Sequence, residues 1–267
     1  TLGIITAATL KLAPLPAATT TALAACDDLA QCVALLQLSR ARLGAGLTGF
    51  EVMGRLALGL VARHFPALPQ PLPDAPWTVL LEQSDTEGER PARERFESLL
   101  GAALEAGVIV DAVVAESLAQ SHALWHLREA IPLAQSEEGL NVKHDISLPV
   151  SAIPAFVAGT DTLLQRHFPG VQLVNFGHLG DGNLHYNVQA PAGVEGQRFL
   201  DEHEHAINTL VFDALAPYGG SFSAEHGIGT LKRDELAARK SPVALKMMRG
   251  IKAALDPQGI LNPGRVL

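Results

Sequence analysis

The chain has 267 residues, 48% of them hydrophobic, enough to fill one large core or two small ones. A formal charge of −8, from 20 Lys and Arg against 28 Asp and Glu, with no basic run longer than "LKRDE", excludes the electrostatic footprint of a nucleic-acid binder. Cys26 and Cys32 make neither a disulfide framework nor a zinc knuckle, no apolar run reaches the roughly 18 residues that span a bilayer, and a reducing cytoplasm is the expected location.

The chain opens on "TLGIITAATLKLAPLP", a β-propensity run punctuated by Pro14 and Pro16, so residues 1–16 read as the end of a preceding domain, followed by a linker. "CDDLAQCVALLQLSRARLG" has helical periodicity, takes both cysteines into one apolar helical stretch and stops at Gly44. "GLTGFEVM" is a short strand, and a second helix runs on to His64. After the proline-rich loop "FPALPQPLPDAP" come a strand, "WTVLLEQS", a helix, "ARERFESLLGAALEAG", and a strand, "VIVDAVVAES". Residues 118–138 predict a long helix carrying Trp125 and Arg128, which Pro132 should kink or interrupt.

"VKHDISLP" then alternates as a strand, and "SAIPAFVAGTDTLLQRHF" is a helix. "VQLVNFGHLGDGNLHYNVQA" is two strands around a glycine-rich turn. "DEHEHAINTLVFDALAPYG" is a helix stopped by Gly219, and "SPVALKMMRGIKAALD" is the last helical region. A tight hairpin among the strands predicts an α+β fold, an antiparallel sheet with helices on one face, over a doubly wound parallel sheet. No internal repeat stands out.

Chemistry concentrates in "NFGHLGDGNLHYN", residues 175–187. With Asp181 and Gly182 as the centre of a type I′ hairpin, paired positions sum to 363 and His178 faces His185. Cross-strand neighbours on one face have Cβ atoms about 5 Å apart, close enough for two imidazoles to share one metal, and Asn187 points the same way. The alternative is coincidence among ten histidines. "SAEHGIG" adds Glu225 and His226 between glycines: a His₂Glu set with open positions is the catalytic metal pattern, and His226 is then free to move protons. A helix N-terminal turn is the structural alternative for that pair. Arg128 and Lys143 read either as surface cations or as a carboxylate clamp, whereas His203 and His205 read as a solvated helix face.

"GHLGDGNLHYNV", "SAEHGIGTLKRDEL" and "IKAALDPQGILNPGRVL", in this order and spacing, resemble the C-terminal substrate domain of the FAD-linked oxidase family, and "TLGIIT" resembles the end of its flavin domain. The resemblance implies ferredoxin-like units, a divalent metal, usually zinc, on His178, His185 and Glu225, and His226 as general base. It implies that Arg128, Lys143 and Asn187 hold the carboxylates of a D-2-hydroxy acid, with D-2-hydroxyglutarate preferred over D-lactate or glycolate. It further implies that Asn262 returns toward FAD, and that His226 takes the 2-hydroxyl proton while hydride passes to the flavin. No G-x-G-x-x-G follows a strand, so FAD is expected to be held mainly outside these residues.

The domain division expected is 1–16 as the flavin-domain remnant, 17–255 as the substrate and metal domain, and 256–267 as the returning tail. Two departures from the family pattern are Pro132, where the 2-hydroxyglutarate branch has threonine, and Arg265, where lysine is usual. Partners expected are the hydroxy acid and a separate electron acceptor, an electron-transfer flavoprotein or a quinone-linked carrier, with a homodimer left open. A zinc-dependent hydrolase and a non-catalytic carboxylate-binding module are the competing readings.

Overall fold

Asp28 accepts the amide of Gln31 at 2.8 Å and so starts helix α1 (Leu29–Leu43), which Gly44 ends at φ 54°. Strand β1 (Ala18–Cys26) precedes it; β2 (Leu47–Gly54), α2 (Arg55–His64), β3 (Trp77–Asp85), α3 (Glu89–Glu105) and β4 (Asp111–Val114) follow. Ser117 caps α4 (Leu118–Glu138), accepting from the Gln120 amide at 3.3 Å. Next come β5 (Asn141–Val142), β6 (Asp145–Ser147), α5 (Ile153–His167), β7 (Gln172–Gly177), β8 (Asn183–Gln189), α6 (Gly196–Leu215), α7 (Arg233–Arg239) and α8 (Pro242–Leu255). This computed structural model describes residues 1–267.

Packing divides the chain into two units, residues 15–224, and residues 1–14 with 225–267. In the larger unit the strand order is β4-β1-β3-β2-β7-β8-β5, with β6 also on β8 and every pairing antiparallel. The run β1-α1-β2-β3-α3-β4 in spatial order 4-1-3-2 is one ferredoxin-like unit. The run β6-α5-β7-β8-α6 closes on a bridge between Ser147 and Ser221 and repeats the order. The β2–β7 pairing joins the two, a topological repeat without a visible repeat of sequence.

The α+β class and antiparallel sheet are as expected. The four helices of the ferredoxin-like units, α1, α3, α5 and α6, contribute to the main core, together with Phe50, Val52, Val79 and Leu81 from one sheet face. Two further helices, α2 and α4, cover the opposite face over Leu23, Met53, Leu80, Val174 and Phe176. Helices thus lie on both faces, and β1 is buried from both sides. That explains why "ATTTALAAC" shows no alternation and reads as linker and helix: a doubly covered strand has no polar face. Cys26 ends that strand, and only Cys32 is helical.

Pro132 lies inside α4, yet the helix runs unbroken from Leu118 to Glu138. Its far end is pinned to α2, where Arg63 Nη1 and His64 Nε2 meet the two carboxylate oxygens of Glu138 at 2.5 and 2.6 Å. Residues 1–16 form no strand, because a ladder needs a partner and no strand of the chain pairs with them. No helix is long and apolar enough to cross a membrane.

In the smaller unit, Lys252 Nζ meets Asp256 Oδ2 at 2.5 Å and the Leu261 carbonyl at 2.7 Å. The same carboxylate accepts the amides of Ile260 and Leu261 at 3.0 and 2.9 Å, fixing the "ILNPG" tail on the end of α8.

Two expectations follow. Phe96, on α3, is fully buried in the main core, so Phe96→Ala should cost about 3–5 kcal/mol in urea unfolding; a loss under about 1 kcal/mol would mean that the core closes around the gap. The Lys252 ammonium and the two tail amides hold the Asp256 carboxyl down at about 2, below its ordinary 3.8. Its contribution is therefore present above about pH 4 and lost as pH falls toward about 2. Amide-exchange protection of Ile260 and Leu261, corrected for intrinsic rates, should differ between wild type and Asp256→Asn at pH 5 and converge near pH 2; a difference independent of pH would refute the assignment.

Candidate active site

The histidine turn is wider than a two-residue hairpin. Paired positions on β7 and β8 sum to 361, so His185 faces Phe176 rather than His178. Residues 178–182 form the connection, with a 3-10 turn at Leu179–Asp181 and Gly182 left-handed at φ 73°. Leu179, within that turn, is completely buried in the main core. A Cβ on Gly182 would collide with the Leu148 carbonyl, so glycine is required twice over. The two imidazoles still adjoin, ring centroids 5.8 Å apart and edge to face. What brings them together is the 3-10 turn, not direct pairing.

The site lies on the sheet face covered by α4. On β8, Leu184, Tyr186 and Val188 enter the main core, and the alternate residues Asn183, His185, Asn187 and Gln189 face the other way. From β2, buried Glu51 reaches two functional groups at once. Its Oε1 lies 2.6 Å from His178 Nδ1, and its Oε2 accepts from Arg128 Nε at 2.8 Å. The Arg128 guanidinium sits 4.8 Å above the centre of the Phe176 ring, and that ring is 4.8 Å from His185. Arg128 is thus buried at 8% exposure, not a surface cation, and it is linked to His178 through Glu51 and to His185 through Phe176.

Asn187 is engaged at both ends. Its Oδ1 accepts the His144 amide at 3.1 Å and its Nδ2 donates to Gln135 Oε1 at 2.9 Å. The His144 ring is held in turn by the Tyr186 carbonyl at 2.7 Å. Lys143, just before His144 in the gap between β5 and β6, is exposed. Asp145 is buried and directly opposite His185, with a carboxylate oxygen within 4.8 Å of a ring nitrogen. Asp145 Oδ1 accepts from Asn183 Nδ2 at 2.9 Å, and the Ala224 amide lies 3.1 Å from both its backbone oxygen and its Oδ2.

In the smaller unit Glu225 and His226 are exposed, with His226 Nε2 3.6 Å from Glu225 Oε1. They lie outside α7, not at a helix N-terminus. Asn262 is exposed and left-handed at φ 48°, a conformation asparagine tolerates better than most residues. Glu51 and Asp145 carry no sequence signal of their own beyond position. Glu51 is a lone acid in the apolar strand "GFEVM", and a buried acid demands a cation.

A family model described as FAD linked oxidases, C-terminal domain, matches residues 15–266. The rat (Rattus norvegicus) protein named D-2-hydroxyglutarate dehydrogenase, mitochondrial, is 37% identical over all of this chain and 48% of its own length. The Stutzerimonas stutzeri (strain A1501) D-2-hydroxyglutarate dehydrogenase is 35% identical over all of this chain and 56% of its own. The chain therefore spans about half the length of these relatives. Crystalline p-cresol methylhydroxylase with substrate bound superposes with a TM-score of 0.68 over 95% of this chain and 53% of that one, at 14% identity, a likeness of fold.

The expected cytoplasmic location is overturned, since relatives such as the rat protein are named mitochondrial. A low cysteine count separates reducing from oxidising compartments and cannot tell one reducing compartment from another. A sheet of two ferredoxin-like units, three motifs in fixed order and a family match over nearly every residue lead to one assignment: the chain belongs to the FAD linked oxidases, C-terminal domain, family.

Proposed function

We propose that the chain is the substrate-side half of an FAD-dependent dehydrogenase that oxidises a D-2-hydroxy acid to the 2-keto acid, with D-2-hydroxyglutarate as the preferred substrate. The observation that carries the reading is a buried arginine set beside paired imidazoles, bonded to one of them through Glu51, in a chain 37% identical to a D-2-hydroxyglutarate dehydrogenase. FAD is held mainly by the part of the enzyme outside residues 1–267, with Asn262 as this chain's contribution. Electrons leave to an electron-transfer flavoprotein or a quinone-linked carrier.

The donor set fits a divalent ion, zinc first, on His178, His185 and Glu225. Glu51, an acceptor only, fixes the proton on His178 Nδ1 and leaves the lone pair on Nε2 for a metal. Glu225 follows Ala224 directly, and Asp145 holds the Ala224 amide. Bound there, a divalent ion supplies Lewis acidity to the substrate hydroxyl, and FAD supplies the hydride acceptor.

This chain's residues do the rest. Arg128, its Nε bonded to Glu51, holds one carboxylate through its outer guanidinium nitrogens, and exposed Lys143 takes a second as a point charge. Asn187, already bonded at both ends, orients the His144 backbone and so the residue before it, Lys143. His226 removes the 2-hydroxyl proton from its exposed position. Pro132 offers no hydroxyl to the substrate, so the two cations carry recognition.

The test is made on the full-length enzyme. Metal analysis should find about one equivalent of a divalent ion, and Glu225→Ala should lose it. His226→Ala should keep the metal while kcat with D-2-hydroxyglutarate falls by at least about 10²-fold. Wild-type turnover in either variant, or normal turnover in protein stripped of metal, would refute this mechanism.

A further inference from the structure

We infer that Glu51 is a positioning residue that couples the metal ligand to the substrate clamp, orienting His178 with one carboxylate oxygen and Arg128 with the other. This rests on the metal and substrate roles proposed above for those two residues. Three observations carry it: both contacts are short, at 2.6 and 2.8 Å; the Glu51 side chain is 7% exposed and that of Arg128 9%, so the bond between them acts in a medium of low dielectric, while the His178 ring is 36% exposed; and the three residues come from separate elements, β2, α4 and the turn after β7, which the carboxylate bridges.

The chemistry of the carboxylate decides the tautomer. Glu51 has no proton to give, so His178 must donate through Nδ1, and Nε2 is left unprotonated. A glutamine of the same shape has one acceptor and one donor. If its oxygen stays with Arg128, its NH₂ faces His178 Nδ1, which must then accept; the ring proton moves to Nε2, where it blocks a metal. If the amide turns over, its NH₂ confronts the Arg128 Nε–H. Either way Glu51→Gln breaks one of the two arms while conserving volume. Glu51→Asp, one methylene shorter, keeps the charge and can reach one partner at a time.

The experiment uses full-length enzyme with FAD bound. Zinc affinity is measured by competition with a chromophoric chelator, and KM for D-2-hydroxyglutarate is measured at saturating zinc. Glu51→Gln should weaken zinc binding about 10- to 100-fold and raise KM more than it lowers kcat, with Glu51→Asp intermediate. In wild-type enzyme carrying ¹⁵N-histidine, cleared of zinc and with His178 assigned by its absence from His178→Gln, the ring should be the Nδ1–H tautomer. This last measurement needs no Glu51 variant, so it judges the proposal even if Glu51→Gln fails to fold. An Nε2–H tautomer, or a folded Glu51→Gln enzyme with wild-type zinc affinity and KM, would overturn it. A wild-type enzyme that binds no zinc would instead refute the metal reading, and the coupling with it, a result distinct from zinc binding that is indifferent to residue 51.

Discussion

The buried ion pair between Glu51 and Arg128 is the contact on which the arrangement of the site depends. Two charges out of water are a poor source of net stability, since desolvation offsets most of their attraction. Removing one partner is another matter: the remaining charge is stranded, at about 3–5 kcal/mol. The pair therefore acts as a constraint on geometry. It sets where α4 crosses β2, and everything that α4 brings to the sheet follows from that crossing.

α4 meets the strands in their spatial order. Ser121 Oγ is 2.6 Å from Thr21 on β1, Trp125 Nε1 donates to Glu82 on β3 at 2.7 Å, Arg128 bonds Glu51 on β2 and covers Phe176 on β7, and Gln135 accepts from Asn187 on β8. The spacings 4, 3 and 7 keep these residues on one face of the helix, as a period of about 3.6 demands. Close approach is needed along this line: a Cβ on Gly49 would stand 2.9 Å from the Trp125 ring. Pro132 removes one intrahelical bond, but the polar side chains on either side of it, Arg128 and Gln135, are both tied to the sheet. An interruption at Pro132 would strain four cross-links to the sheet.

Much of this was legible in the sequence, and the remainder was hidden for identifiable reasons. Gly44 as a stop, residues 118–138 as one helix and the two strands flanking "HLGDG" all follow from local signals, because caps, periodicity and turn glycines act within a few residues. β1 was hidden by its burial on both faces, and the turn register by a connection of residues 178–182 where the glycines would equally have suited a tighter hairpin. Glu51 was hidden by distance: Arg128 lies 77 positions away and His178 lies 127. A pattern confined to one segment contains no record of such a partner. The motifs thus singled out the residues proposed for metal and substrate, while the groups bonded to them emerged only from the fold.

Burial sorts these two classes in a way that physical chemistry requires. Glu51, Arg128, Asp145, Asn187 and Gln135 are all buried, whereas Lys143, Glu225 and His226 are exposed. An orienting hydrogen bond gains strength and direction where water cannot compete, so orienters belong inside. A group that accepts a proton from a substrate must be reachable by that substrate and must return the proton to solvent, so a base belongs outside. In the proposed site, Arg128 is the one residue that has to do both. Its Nε is fixed by Glu51 and its flat face by Phe176, which leaves the far edge of the guanidinium as the edge available to a carboxylate. A lysine there would have a single charged point to divide between Glu51 and a ligand, and could not be held and remain available at once. The planar fork of arginine is what allows one buried side chain to be part of the scaffold and still serve the recognition role proposed for it.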